Sequence, residues 1–400
     1  MTTCIYCGSA GPFSDEHVIP AGLGGDDRRF MLKGIVCEYC NCRVFSPLEA
    51  SLLRASPVAL ARQFLQKTGR RRASGASSPT MQAEQILMVT REGNQLETEL
   101  GEFGRAVTLA QIHQTTNTSC DTHARDKQQL TTFLGALRSC LLDTAIVLEK
   151  ATSGAGRYVL RTYDGRSGAY TITSTQNTDV RPKKYIWLST VARIEEPNAR
   201  LPIVFSRRSG QVSMKVPDGY PIDQALTFFK KAAHQIDVSA TVSNDIENPI
   251  VHVSNVAMDI SIQPRVLAKI GINLLAFAVG ADFVRDRQFD EIKRSIVRND
   301  PPLYPRSAES LSNVFAKVPD TCHVFALFGP DLGAPAGYNP LVLASRLYGH
   351  MFDLVPLCLS APPVPVGLPL YFTADYTSHQ IKQLTSREFA AIYPPIGHPF

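Results

Sequence analysis

Two Cys-x-x-Cys pairs, Cys4/Cys7 and Cys37/Cys40, stand near the start of the chain and restrict its folding more than any other feature. Four thiolates delivered by two tight turns are the donor set of a tetrahedral structural zinc, whose closed sphere leaves no position for water. An N-terminal unit of about fifty residues buries too little apolar surface to fold on its core alone, so a metal there substitutes for missing hydrophobic area. The spacing predicts about one zinc per chain, held by Cys4, Cys7, Cys37 and Cys40. The other cysteines, Cys42, Cys120, Cys140, Cys322 and Cys358, are an odd set on unrelated segments. That argues against a disulfide framework and for a reducing, cytoplasmic setting.

Between the pairs lie Asp15-Glu16-His17-Val18-Ile19-Pro20 and Leu23-Gly24-Gly25, and Asn41 follows the second pair directly. An acid beside a histidine, with an amide fixed by a zinc knuckle, is the material of a hydrolytic metal site. His17 is the candidate general base, because an imidazole can take a proton from water near neutrality. Glu16 and Asn41 offer a carboxylate and an amide oxygen, hard donors that suit Mg²⁺ or Mn²⁺. The plainer alternatives are a polar turn residue for His17 and helix or turn caps for Glu16 and Asn41.

In these motifs the sequence resembles the HNH (ββα-metal) endonucleases, in the branch whose ββα unit is braced with zinc by two CxxC pairs. The resemblance covers roughly residues 4 to 53 and lies in the order and spacing of the acid-His-x-x-Pro, Gly-Gly and Cys-x-x-Cys-Asn segments. A weaker one lies near residues 265–297, where Lys269-Ile270-Gly271 is similar to a segment that follows the nuclease unit in many members. The resemblance implies that His17 is the general base, with Glu16 and Asn41 as ligands of a catalytic divalent ion. It also departs from the pattern. Leu32 stands where many relatives have a second asparagine, and Val44 and Phe45 occupy the helical turn of the usual third ligand, with Asp26 or Asp27 as substitutes.

The expected N-terminal unit is a ribbon of Val18-Ile19 and Ile35-Val36 turning at Gly24-Gly25, then a helix after Asn41 carrying Leu48, Leu52 and Leu53. Ser56-Pro57 starts a second helix with an apolar face of Leu60, Phe64 and Leu65. Residues 68–79 turn to Gly, Arg, Ser and Ala, with Arg70, Arg71 and Arg72 in a row, which marks a boundary. Apolar steps from Leu130 to Leu148 predict one helix. Residues 157–163 and 169–175 predict a hairpin across Asp164-Gly165. Further strands are expected at 184–194, 201–205, 250–262, 322–328, 354–359 and 370–373, and further helices at 221–236, 266–280 and 289–296. The class is α+β: a zinc-braced ββα unit over 1–66, a linker over 67–83, an α+β domain over 84–263, and a helical segment with a C-terminal α+β portion over 264–400.

Functionally, the sequence points to a metal-dependent endonuclease acting on DNA in preference to RNA, with the larger C-terminal portion targeting or regulating it through a partner or self-association. Two alternatives stand beside it. One is an effector nuclease of a prokaryotic anti-phage defence system, switched on by a short Argonaute or a nucleotide signal; the other is a zinc-knuckle nucleic-acid-binding protein without chemistry. A net charge of +5 permits nucleic-acid binding without demanding it. No apolar run is long enough to span a bilayer, so no membrane partner is expected. Residue pairs Cys120/His123 and Cys322/His323 are isolated ligand fragments, Trp187 a possible stacking residue beside Tyr185, and Arg207-Arg208 a basic turn.

Overall fold

The computed structural model describes all residues except 1–2, 26–27, 68–78, 80, 82, 92, 152–155, 192–200, 208, 241–245, 247–249, 257, 330–338 and 397–400. Strand β1 (Phe13–His17) pairs antiparallel with β2 (Met31–Cys37), and the chain then winds through a π-helical stretch, Tyr39–Phe45, into α1 (Ser46–Leu52). The ribbon and following helix are those expected, but β1 lies upstream of Val18 and Ile19, which follow it fully buried. Gly24 and Gly25 do not form a two-residue hairpin turn. Gly24, at φ 89°, closes a short 3-10 turn over Ala21–Leu23. A Cβ on Gly24 would sit 2.9 Å from the Tyr376 Cα, and one on Gly25 2.1 Å from the Ile19 carbonyl oxygen, so both positions exclude a side chain.

Ser56 caps α2 (Pro57–Leu65), its Oγ accepting the Val58 N–H at 3.2 Å. The helix faces the other way from expectation: Val58, Ala59, Arg62 and Gln63 are buried, while Leu60, Phe64 and Leu65 are exposed. Periodicity defines a stripe but not the side that meets the core.

Next come β3 (Ala83–Val89), β4 (Gln95–Leu100), β5 (Ala106–Thr108), β6 (Gln111–Gln114) and β7 (Cys120–His123), then α3 (Lys127–Cys140). The helix stops at Cys140. Ala145 and Leu148, in phase with its apolar stripe, belong instead to strand β8 (Thr144–Lys150). The hairpin across Asp164-Gly165 is formed by β9 (Tyr158–Asp164) and β10 (Thr171–Thr178). After β11 (Ile186–Val191), β12 (Ile203–Ser206), β13 (Val212–Pro217) and α4 (Ile222–Gln235), strand β14 (Ile250–Val256) completes this stretch. An eight-stranded sheet runs β10-β9-β8-β11-β13-β12-β6-β7, with β11 parallel to both β8 and β13. Helices α3 and α4 bury Phe133, Leu137, Leu226 and Phe229 with Val147, Leu188 and Met214 of that sheet. A smaller sheet runs β14-β3-β4-β5.

Helix α5 (Ile262–Ala278) leads through α6 (Ala281–Arg285), α7 (Asp290–Arg298) and α8 (Ser312–Phe315) to β15 (Cys322–Phe328). Strands β16 (Leu341–Leu347), β17 (Met351–Cys358), β18 (Leu370–Asp375) and β19 (Gln380–Thr385) follow, with α9 (Ser386–Ile392) last. These strands form an antiparallel sheet in the order β17-β16-β15-β18-β19. Phe325 and Leu327 face one core, Val324 and Ala326 another, so β15 is apolar on both faces and reads as a continuous hydrophobic run. Gly271 brings α5 against β17, since a Cβ there would meet Leu357 Cδ2 at 2.7 Å.

The described chain thus mixes helix and strand, 32% and 33%, as the α+β expectation requires. It divides into two compact units, one of residues 1–84, 101–105 and 255–400, the other of 85–100 and 106–254. This division differs from the expected one at 1–66, 67–83, 84–263 and 264–400. Leu23, Leu32, Phe45 and Leu52 share one core with Ile270, Leu274, Phe325 and Leu343, so the N-terminal ribbon and the C-terminal sheet are one body. Arg70 to Arg72 lie outside the described residues.

Each unit carries an imidazole held neutral, fully buried at His323 and half-buried at His113. Burial, reinforced by Arg346, pushes His323 down to about 3, and burial, with His123 beside it, pushes His113 down to about 4. An unfolded chain takes up these protons near the ordinary value of about 6.5 and the folded chain does not. Stability is therefore full above that value and falls as pH drops toward 3 to 4, by roughly 5 kcal/mol for His323 at 1.36 kcal/mol per pKa unit. Urea titrations from neutral pH down to about 4 are expected to show this loss. His323→Phe, which takes up no proton, should make it shallower for the first unit, and an unchanged slope would show that another group governs the acid transition.

Candidate metal centre and its surroundings

The four cysteine sulfurs lie within 4.8 Å of one another, with Cys7 and Cys37 at 3.5 Å. A zinc with Zn–S bonds of about 2.3 Å needs S···S edges of about 3.8 Å, so the set fits the ion. Backbone amides support the sulfurs as in a knuckle: the Cys37 N–H donates to Cys4 Sγ and the Cys40 N–H to Cys37 Sγ, both at 3.4 Å. The Cys4 thiol is pushed down to about 4, first by a hydrogen bond from the Cys40 thiol, while that same bond pushes Cys40 up. One sulfur holding a proton for another is the arrangement a shared cation replaces. Among the described residues this tetrad is the one group of three or more His, Cys, Asp or Glu side chains gathered closely enough for a metal.

The knuckle is tied to α5 by polar contacts. Tyr6, between Cys4 and Cys7, donates its hydroxyl to Asn273 Oδ1 at 2.6 Å, and its ring meets Phe45 edge-on at 4.6 Å. Asn273 Nδ2 donates to the His17 carbonyl at 2.9 Å and to Glu16 Oε1 at 3.4 Å. Lys269, one turn earlier and 0% exposed, pairs with both Glu16 and Glu49 and lies over the Phe45 ring. Burial works to deprotonate Lys269, but Glu49 and Glu16 outweigh it and hold the ammonium above its ordinary range.

This geometry places the expected site residues differently from one another. Glu16 is 3% exposed and turned inward onto Lys269; burial raises its carboxyl against the pull of that ammonium. Glu16 Oε1 is engaged by the buried Lys269 ammonium and by Asn273 Nδ2. The reason is strand alternation: Glu16 points into the core and its neighbours Asp15 and His17 point away. Asn41 does lie against β1, its Nδ2 donating to Ser14 Oγ at 3.0 Å and to the Asp15 carbonyl at 2.8 Å. His17 ends that strand, half-buried. Leu32 and Phe45 are core residues, and Asp26 and Asp27 lie outside the described residues.

Lys269, Asn273, Tyr6 and Glu49 are the residues that sequence reasoning did not place here. A signal existed for one of them: a lysine in the middle of an apolar helix requires a buried counter-charge. His323 is fully buried, Nδ1 accepting the Tyr348 N–H at 3.2 Å. Trp187 is half-buried beneath Arg181, which also covers Tyr158. Arg207 bonds Ser213 Oγ, and Arg208 lies outside the described residues. No described helix is long and apolar enough to cross a membrane.

Comparison with protein-family models, with curated proteins and with solved structures finds no match for this chain.

Proposed function

We propose that the protein is an endonuclease of the HNH kind that hydrolyses phosphodiester bonds in DNA. The observation that carries this reading is the clip from Asn41 to the Asp15 carbonyl, which seats a knuckle residue on the strand bearing His17, within a ribbon-and-helix unit braced by four cysteines. In this reading His17 accepts a proton from water as the water oxygen bonds to phosphorus; the P–O bond to the leaving group breaks, and the leaving oxygen takes a proton from solvent. Glu16 acts as a positioning residue, fixing β1 to α5 directly behind His17. Asn41 keeps its Oδ1 as an acceptor.

The inward turn of Glu16 favours a second reading, a zinc-knuckle protein that binds nucleic acid without cutting it. Nicking of supercoiled plasmid by the full chain with added Mg²⁺, Mn²⁺ or neither decides between them. His17→Ala is expected to lower the nicking rate about 10²- to 10⁴-fold while zinc content and DNA affinity persist, the ordinary effect of removing a general base. Wild-type nicking by that variant would remove His17 from the mechanism, and no nicking by the wild type with either ion would favour the second reading.

A further inference from the structure

Beside the first knuckle lies a groove of about 500 Å³, walled by residues 3–8 on one side and by α6 and α7 on the other. Its charged lining is Arg285, Lys293, Arg294 and Arg298 against Asp290. Two of these cations are already committed. Lys293 is buried, paired with Asp290 at 2.9 Å and donating to the Val284 carbonyl at 3.1 Å. Arg285 pairs with Asp282 at 2.7 Å and donates to the Thr3 carbonyl at 2.6 Å, which fastens the wall to the helix. Arg294 and Arg298 are exposed, and Arg294 is aimed by its Nε–H on the Asp300 carbonyl at 3.2 Å. They stand four residues apart on one helix face, a like-charge spacing that is unfavourable unless an anion lies between them.

We propose that this groove binds the phosphodiester backbone of a nucleic acid, with Arg294 and Arg298 each gripping a phosphate and Arg285 and Lys293 holding the walls. The volume suits one or two backbone units rather than a whole base step. Guanidinium forks match phosphate oxygens bidentately, so these two arginines position the strand without reading its sequence. The proposal rests on the nucleic-acid reading above and adds where the backbone lies. The competing role for the same arginines is to offset the negative charge of a zinc tetrathiolate, since Cys4 and Cys7 line the same wall.

The test uses full-length protein in the His17→Ala background with no divalent ion added, so that binding is read apart from cleavage. Fluorescence anisotropy of a short fluorescein-labelled DNA duplex is followed from about 50 to 200 mM salt. Arg294→Ala/Arg298→Ala should raise Kd roughly tenfold or more, as loss of charged hydrogen bonds does, and should flatten the log Kd against log salt slope by about two, one per phosphate contact. Arg294→Lys/Arg298→Lys should keep most of the slope, and Arg287→Ala, outside the groove, should behave as the parent. Thermal melts and zinc content of every variant show that each is folded. A folded double-alanine variant with parental affinity and slope overturns the proposal, as does loss of zinc at unchanged DNA affinity, which assigns the arginines to the metal. A parent that binds no duplex also overturns it. Binding with the expected slope but no plasmid nicking by the wild type leaves the groove standing and removes only the nuclease.

Discussion

Stripping the metal with a chelator is expected to unfold the first unit and leave the second folded. Four cysteines brought within 4.8 Å of one another have no other cross-link, and the sulfurs are supported by amides placed for thiolates. Structural zinc in small knuckles contributes apparent free energies of about 10–16 kcal/mol near neutral pH, comparable to the whole stability of an ordinary domain. The chain offers a built-in control. Its single tryptophan, Trp187, lies in the second unit. Chelation should therefore lower far-ultraviolet ellipticity and open residues of the first unit to protease while tryptophan emission stays constant. Cys37→Ser is expected to reproduce the effect without a chelator. Full ellipticity in protein shown by elemental analysis to lack zinc would refute the structural role.

Lys269→Met is expected to cost about 3–5 kcal/mol, the usual penalty for leaving a buried charge without its partner. The substitution keeps the shape of the side chain and strands two carboxylates, Glu16 at 4% and Glu49 at 23% side-chain exposure. Urea midpoints of the first unit report the loss. Adding Glu16→Gln and Glu49→Gln should return most of it, because paired removal of buried charges is often close to neutral. In the single variant, Glu16 is held still further above its unfolded value. Stability should then be greatest at low pH and fall as pH rises through that value, provided the His323 effect is measured alongside. A single variant within about 1 kcal/mol of the parent would show that water, not Lys269, compensates these acids.

What the sequence discloses and what it hides separate along one physical line. The two Cys-x-x-Cys pairs, the hairpin across Asp164-Gly165 and the Ser56 cap are legible because the determinants of each lie within a few residues of one another. The end of α3 is overrun because Ala145 and Leu148 keep helical phase by coincidence, while β8 buries Ala145, Val147 and Leu148 on its two faces. Glu16 is visible as an acid next to a histidine, which suggests a ligand. Its actual partner is a lysine on a helix formed from the other end of the chain, and no local pattern shows which face of β1 that helix covers. The change of composition over 68–79 falls just before the second unit begins, but nothing local shows that residues 1–84 and 255–400 share one core.

The division of the chain has a consequence for the order of assembly. His17 and its partner Asn273 are 256 residues apart, so at about 5–20 residues per second the knuckle waits roughly 13–50 s for the helix that completes it. The second unit begins on β3 and ends on β14, which are hydrogen-bonded neighbours. Once that unit has folded, the two long segments of the first leave it from neighbouring strands. A connection on the order of 170 residues is shortened by this, and each halving of effective loop length is worth roughly 0.6 kcal/mol. The inserted unit thereby shortens the reach between the two long segments of its host, and the knuckle's cysteines are synthesised well before the helix they pack on.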